Sequence, residues 1–310
     1  MSDYKEIYLA RTQGFCAGVD RAVKIVDQAL VKYGPPIYVY HEIVHNTHVV
    51  RDFIKRGIVF VEDIAAVPEG QHVILSAHGV SPSVAKMAKQ RRLKCIDATC
   101  PLVKKIHRLA TDFSKKGIQV ILIGHKDHQE LIGTAGYVAA NLLYFIQNQN
   151  DINNLKIDPL KPVAYLTQTT LSVDETRELV MHLKAKFPQI MHPPEDNICF
   201  ATQTRQDAVK ELSKLVEIII VCGSPSSSNS NRLRETGAQA GVESIIIDQA
   251  AQLDMVLLKG KKKIGISSGA SVPWKIVEQL VNRIQAEYPG TVVHNLESHG
   301  HKPDFQFPEI

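Results

Sequence analysis

The sequence has no apolar run approaching the roughly 18 to 20 residues that a membrane span needs, which argues against a helical transmembrane protein. Its opening residues, MSDYKEIYLA, enter a strand pattern almost at once. They show neither a secretory h-region nor a transit-peptide composition. Cysteine is scarce, five residues in 310, and no C-x-x-C pair occurs. A disulfide scaffold is therefore not expected, and a reducing, cytoplasmic compartment is. No Gly-x-x-x-x-Gly-Lys run is present, which argues against an ordinary nucleoside triphosphatase. Charge of one sign is not in excess either. A net charge of +4 is too mild to imply nucleic acid or a membrane surface, yet it suits a small anionic ligand.

What the chain does have is ordinary globular composition, 44% hydrophobic and 22% charged, and enough length for two or three small domains. Short runs rich in Val and Ile alternate with helical patterns. Strands are expected at 6–10, 37–40, 58–61, 72–76, 94–97, 119–124, 143–146, 163–166, 218–222, 244–248 and 263–267. Helices are expected at 18–33, 46–56, 82–92, 101–115, 172–187, 201–214, 229–240 and 271–287. This alternation predicts an α/β protein whose parallel sheets are covered by helices. Three small α/β units are expected: 1–98, 99–195 and 196–289, each with one helix-opening cysteine. Similarity between them is too weak to make a repeat. The tail, 290–310, is polar and without strong pattern, and is expected to pack across the body or close an entrance.

The three cysteines organise the chain. Cys100 lies in DATCPLVKKIHRLA, where a strand meets a turn and Pro101 opens a helix; proline suits a first helical position, where its missing N–H would be unpaired anyway. Cys16, in GFCAGVDRA, and Cys199, in ICFATQTRQ, also stand just ahead of predicted helices. The free amides and positive dipole end of a helix favour thiolate over thiol. Three thiolates with no fourth suit zinc with a bound water or an iron–sulfur cluster with one iron open, and spacing does not choose between them. Cys95 and Cys222 lie within apolar runs and are expected in the core.

Ligands of parallel sheets bind beyond the carboxyl ends of the strands. Those ends carry His41 and His45, His78, His125 and His128, Thr167, Thr169 and Thr170, Ser226, Ser227, Ser228 and Asn229, and Ser268 and Ser271. Bulky apolar residues are almost absent there. One polar pocket fed by three units is the economical reading. Ser227 and its neighbours fit a helix N-cap, and a helix start that leaves amides free also binds phosphate. Glu130 is the one carboxylate within this polar set, and beside histidines and a metal it becomes a proton donor. Two rival readings stand: a zinc or thiolate hydrolase of phosphate esters, and a non-catalytic anion-binding or redox-sensing protein.

In chain order, GFCAGVDRA, HEIVHN, SAHGVS, DATCPLV, TQTTLS, ICFATQTRQ, SSSNSNRL and SGAS resemble the motifs of the 4-hydroxy-3-methylbut-2-enyl diphosphate reductases. These iron–sulfur enzymes end the non-mevalonate isoprenoid pathway. The resemblance runs from Gly14 to Pro273. It implies three α/β domains in pseudo-threefold arrangement around a central [4Fe–4S] cluster, one per chain, held by Cys16, Cys100 and Cys199 with an iron site open. The implied reaction is a two-electron reductive dehydroxylation giving isopentenyl and dimethylallyl diphosphate, with ferredoxin or flavodoxin as electron donor. Glu130 matches the family's proton donor and Thr169 the threonine beside the substrate hydroxyl. His45, His78, His128, Ser227, Ser228, Asn229 and Ser271 match groups lining the diphosphate and substrate pocket. A monomer is expected, with a dimer as the alternative. One departure stands out: where the family commonly reads His-Pro-Glu, this chain reads His128-Gln129-Glu130. Losing the proline loosens the turn by about 0.5–1 kcal/mol through unfolded-state entropy.

Overall fold

The computed structural model describes residues 4–193, 197–296 and 305–308. The chain opens with β1 (Glu6–Leu9), α1 (Ala17–Tyr33), β2 (Ile37–Tyr40), α2 (Thr47–Lys55), β3 (Ile58–Val61), β4 (His72–Leu75), α3 (Pro82–Gln90) and β5 (Lys94–Asp97). It continues with α4 (Pro101–Lys115), β6 (Gln119–Ile123), α5 (Gln129–Ala135), β7 (Leu143–Ile146), α6 (Gln149–Asn154), β8 (Val163–Thr167) and α7 (Val173–Lys186). The last part holds α8 (Phe200–Leu212), β9 (Ile218–Cys222), α9 (Ser228–Gln239), β10 (Glu243–Ile247), β11 (Lys263–Ser268), α10 (Trp274–Glu287) and β12 (Val292–Asn295).

The strands form three parallel sheets, as an α/β pattern demands. Their orders are β10-β9-β11-β1-β12, β3-β2-β4-β5 and β7-β6-β8. Parallel neighbours need a crossover, and the intervening helices supply it. The chain divides into two compact units. One comprises Met1–Val19, His45–Arg51 and Phe200–Asp304; the other comprises Asp20–Val44, Asp52–Cys199 and Phe305–Ile310.

In the first unit β9 is buried along its whole length. Its residues alternate between two cores: Ile218, Ile220 and Cys222 face one, Ile219 and Val221 the other. In the second unit β6 does the same, with Val120 and Leu122 on one side and Ile121 and Ile123 on the other. Apolar residues on both faces are what a central strand covered by two helical layers requires. Each fully buried aliphatic side chain contributes about 1.5–3 kcal/mol.

All eleven expected strands form, and the differences lie elsewhere. The expected boundaries 1–98, 99–195 and 196–289 follow the chain, whereas the five-stranded sheet draws on both ends of it. β1 pairs with β11, Ile7 opposite Ile264, and with β12, Ile7 opposite Val293. Part of the tail after 289 is thus an edge strand of that sheet. Pairing over more than 250 residues leaves no local trace, because each strand shows only its own period. Two short helices, α5 and α6, also escape the sequence pattern. Cys95, expected in the core, is exposed. It sits on β5, an edge strand whose buried face is carried by Ile96.

Candidate active site

The buried acid is built by two strand ends of the second unit. After β6 the chain turns at Gly124, whose φ of +146° only glycine adopts readily. An added Cβ there would also lie 2.8 Å from the Gln168 side chain. His128 then caps α5, its Nδ1 accepting from the Glu130 amide at 3.2 Å. This places Glu130 in the first helical turn, 3% exposed. Its two oxygens meet one residue beyond β8. The Thr169 amide donates to Oε1 at 2.7 Å, and the Thr169 hydroxyl donates to Oε2 at 2.7 Å. Burial raises the Glu130 carboxyl to about 7, although both Thr169 bonds pull the other way. Desolvation wins because, among the described residues, no cation acts on it to favour the charged form.

Gln168, fully buried, ties the two strand ends together. Its Oε1 accepts from the His125 amide at 3.1 Å and its Nε2 donates to Thr170 Oγ1 at 2.9 Å. The Cys199 amide donates to the Thr169 carbonyl at 3.0 Å, so Thr169 links the acid to one of the helix-opening cysteines. The next strand end brings another. Cys100 caps α4 with Pro101 at the first helical position, and its amide donates to the carbonyl of Ala77, next to His78, at 3.0 Å. The His78 and His128 rings meet edge-on, centroids 5.9 Å apart. Glycines permit this approach: a Cβ on Gly136 would fall 2.4 Å from Ser81 Cβ, and one on Gly133 would fall 3.1 Å from the Gly79 carbonyl oxygen. Cys100, Cys199, His78, His128, Glu130 and Thr169 are thus joined by short runs of contacts.

The first unit carries the remaining predicted residues. Cys16 precedes α1 and its amide donates to the Ala270 carbonyl at 3.0 Å. Ser271 Oγ donates to the His45 carbonyl at 3.0 Å, so Cys16, His45 and Ser271 are neighbours. Ser227 caps α9, accepting from the Ser230 amide at 3.4 Å. Ser228 is half-buried and Asn229 is 5% exposed. Neither the Oδ1 nor the Nδ2 of Asn229 has a hydrogen-bond partner among the described residues. A buried amide left unpaired costs about 1–3 kcal/mol per group. Asn229 stands in the first turn of α9.

Sequence reasoning passes over several buried polar groups. Arg205, 1% exposed, donates to the Gly14 carbonyl at 2.7 Å and the Ala201 carbonyl at 3.1 Å, bracing the turn before Cys16. Arg21, 5% exposed, donates to the Ala98 and Thr99 carbonyls, each at 3.3 Å. His107 stacks on Tyr137 at 4.3 Å, and burial pushes it down to about 4, so it is neutral. A signal for Arg21 existed. It falls on the buried stripe of α1 formed by residues 18, 22, 25 and 29, and a charge on an apolar stripe needs a partner.

A parallel α/β scaffold that buries a carboxyl titrating near neutrality, tied through one threonine to the main chain of a helix-opening cysteine, is the framework of an enzyme. A carboxyl with a pKa near neutrality is half protonated at working pH, the condition that suits a general acid. Comparison with known proteins makes this specific. The model of the LytB protein family matches residues 7–285. A curated 4-hydroxy-3-methylbut-2-enyl diphosphate reductase from Nitrosomonas europaea is 48% identical over 281 residues, covering 90% of this chain and 87% of the relative. One of the same name from Azoarcus is 45% identical over 307 residues, covering 99% and 98%. Among solved structures, the E-1-hydroxy-2-methyl-but-2-enyl-4-diphosphate reductase from Plasmodium falciparum superposes with a TM-score of 0.95 at 38% identity, covering 98% of this chain and 96% of the other. The chain belongs to the LytB family and is an oxidoreductase.

Proposed function

We propose that this chain reduces 4-hydroxy-3-methylbut-2-enyl diphosphate to isopentenyl and dimethylallyl diphosphate, using a [4Fe–4S] cluster held by Cys16, Cys100 and Cys199. The name shared by relatives at 45% to 48% identity supports the reaction. The observation that carries it is the Glu130–Thr169 pair, because loss of a hydroxyl as water requires a proton that is available at neutral pH. Overall, two electrons and two protons convert the alcohol to an alkene and water.

The donor set fits the cluster chemically. All three cysteines are thiols outside any disulfide and only half-buried, and each immediately precedes a helix. Among the described residues no three His, Cys, Asp or Glu side chains group as ligands of a single ion; a cluster that gives each cysteine its own iron asks for no such grouping. When bound, the cluster supplies electrons one at a time and an open Lewis-acidic iron position. The chain's residues do the rest. Protonated Glu130 gives its proton towards the departing hydroxyl, and Thr169 Oγ1 orients or relays it. Asn229, Ser227, Ser228 and Ser271, with His45, His78 and His128, hold the diphosphate through hydrogen-bond donors.

Ferredoxin or flavodoxin serves as the electron donor in this reading, and the chain works as a monomer in the cytoplasm. No helix among the described residues is long and apolar enough to cross a membrane. The test is turnover by oxygen-free, iron-loaded protein with a chemical reductant and the allylic diphosphate. Both alkenyl diphosphates are expected as products. A fully loaded protein that forms neither refutes the proposal.

A further inference from the structure

Arg21 is a cation with an unusual set of partners. It lies on the buried stripe of α1 and is 5% exposed. Its three hydrogen bonds all go to main-chain carbonyls: Ala98 and Thr99 at 3.3 Å each, and Gln306 at 2.8 Å. Among the described residues it forms no ion pair. The adjacent carboxylate, Asp97, is already paired with Lys104 at 2.6 Å and accepts from the Thr99 amide at 2.9 Å. Burial lowers the Arg21 pKa, opposed first by Asp97 and then by Cys100; a guanidinium nevertheless stays charged. One positive charge is therefore left over next to the turn that delivers Cys100. A buried charge ordinarily has an opposite one beside it.

We propose that Arg21 is a positioning residue for the cysteine centre: its Nη1 fixes the two carbonyls ahead of Cys100, and its buried charge balances the anionic group that Cys100 holds. This rests on the cluster reading above, since a cluster held by thiolates is anionic. The planar, rigid guanidinium suits the task, because Nε is held by one carbonyl while Nη1 meets two successive others, and the group remains charged. The Gln306 carbonyl holds the Nε side of the fork, so the segment 305–308 locks Arg21 in place. Charge and geometry thus act on the same loop.

The two roles separate in Arg21→Met and Arg21→Lys, prepared and loaded without oxygen beside the parent. Loss of the cation disfavours the more negative, reduced cluster. Arg21→Met should therefore lower the midpoint potential by the equivalent of a tenfold change in the reduction equilibrium, about 59 mV for one electron. Arg21→Lys keeps the charge and should stay close to the parent. In the cluster-free chains, alkylation of Cys100 relative to Cys95 should rise several-fold in both variants, because neither keeps a planar group anchored through both Nε and Nη1. A loaded Arg21→Met chain with the parent's potential overturns the charge role, as does an Arg21→Lys chain shifted as far as Arg21→Met. An unchanged alkylation ratio overturns the bracing role. If Arg21→Met does not fold, the ratio and the potential of Arg21→Lys still decide. A parent chain that takes up no iron or sulfide refutes the cluster reading itself, while the alkylation ratio continues to judge Arg21.

Discussion

Replacing Glu130 by Gln tests the acid in two independent ways. Protonated Glu130 presents a carbonyl to the Thr169 amide and an O–H to the Thr169 hydroxyl, the same two oxygens now bonded at 2.7 Å. The Gln amide reproduces that pattern with its Oε1 and Nε2, so the variant copies the protonated form but has no acidic proton to give. Loss of a general acid lowers the rate by about 10²- to 10⁴-fold. Substrate affinity should hold, since the shape and hydrogen bonds survive.

Stability moves in a direction of its own. Burial raises Glu130 from 4.5 to about 7, so the folded chain binds the proton more tightly than the unfolded one. The stabilisation is complete below pH 4.5 and is lost as the pH rises towards 7. At about 1.4 kcal/mol per pH unit, the loss amounts to roughly 3 kcal/mol. Urea denaturation of the cluster-free chain at pH 5 and pH 8 should show it for the parent, and Glu130→Gln should be less sensitive to pH by about that amount. The parent's reduction rate should fall about tenfold per pH unit above 7, where protonated Glu130 becomes rare. Unaltered turnover by Glu130→Gln would refute the assignment of the acid. Equal pH sensitivity of stability would refute its buried, raised state.

Three other variants probe the surroundings. Asn229→Ala removes a buried amide with no partner among the described residues, so the melting temperature should hold or rise while affinity for the diphosphate substrate falls about tenfold or more; calorimetry and substrate titration check both. Gly136→Ala sets a Cβ 2.4 Å from Ser81 Cβ, and should cost about 1–3 kcal/mol in urea denaturation as well as reducing turnover by shifting α5. Gln129→Pro restores the proline of the family's His-Pro-Glu. Gln129 is the first residue of α5, and His128 ahead of it has φ −75° and ψ 134°, which proline accepts. The variant should gain about 0.4–1 kcal/mol with activity kept.

Local pattern made the eleven main strands readable, because β-branched runs such as Ile218–Val221 state their burial on both faces. The helix-opening places of Cys16, Cys100 and Cys199 were readable for the same kind of reason: each stands just ahead of a helical run. What could not be read were facts of distant pairing. Nothing in EIYL indicates that it fits between β11 and β12, and nothing in KCID shows that β5 is an edge that leaves Cys95 outside. Glu130 was visible as a lone acid among histidines. Its titration near neutrality, however, comes from burial that outweighs the two bonds from Thr169, 39 residues away. Asn229 looked like part of a cap; only packing reveals that its amide is orphaned. Arg21 was legible as a charge on an apolar stripe, but its partners, the carbonyls before Cys100, were not.

The most direct test of the account is iron and acid-labile sulfide per chain in protein purified without oxygen. It should be measured for the parent, for Cys16→Ser, Cys100→Ser and Cys199→Ser, and for Cys95→Ser as control. About four of each are expected in the parent and in Cys95→Ser, as a cubane requires, with loss of the full cluster in each of the other three. Zinc without sulfide in the parent, or a complete cluster retained after any of those three substitutions, would contradict it.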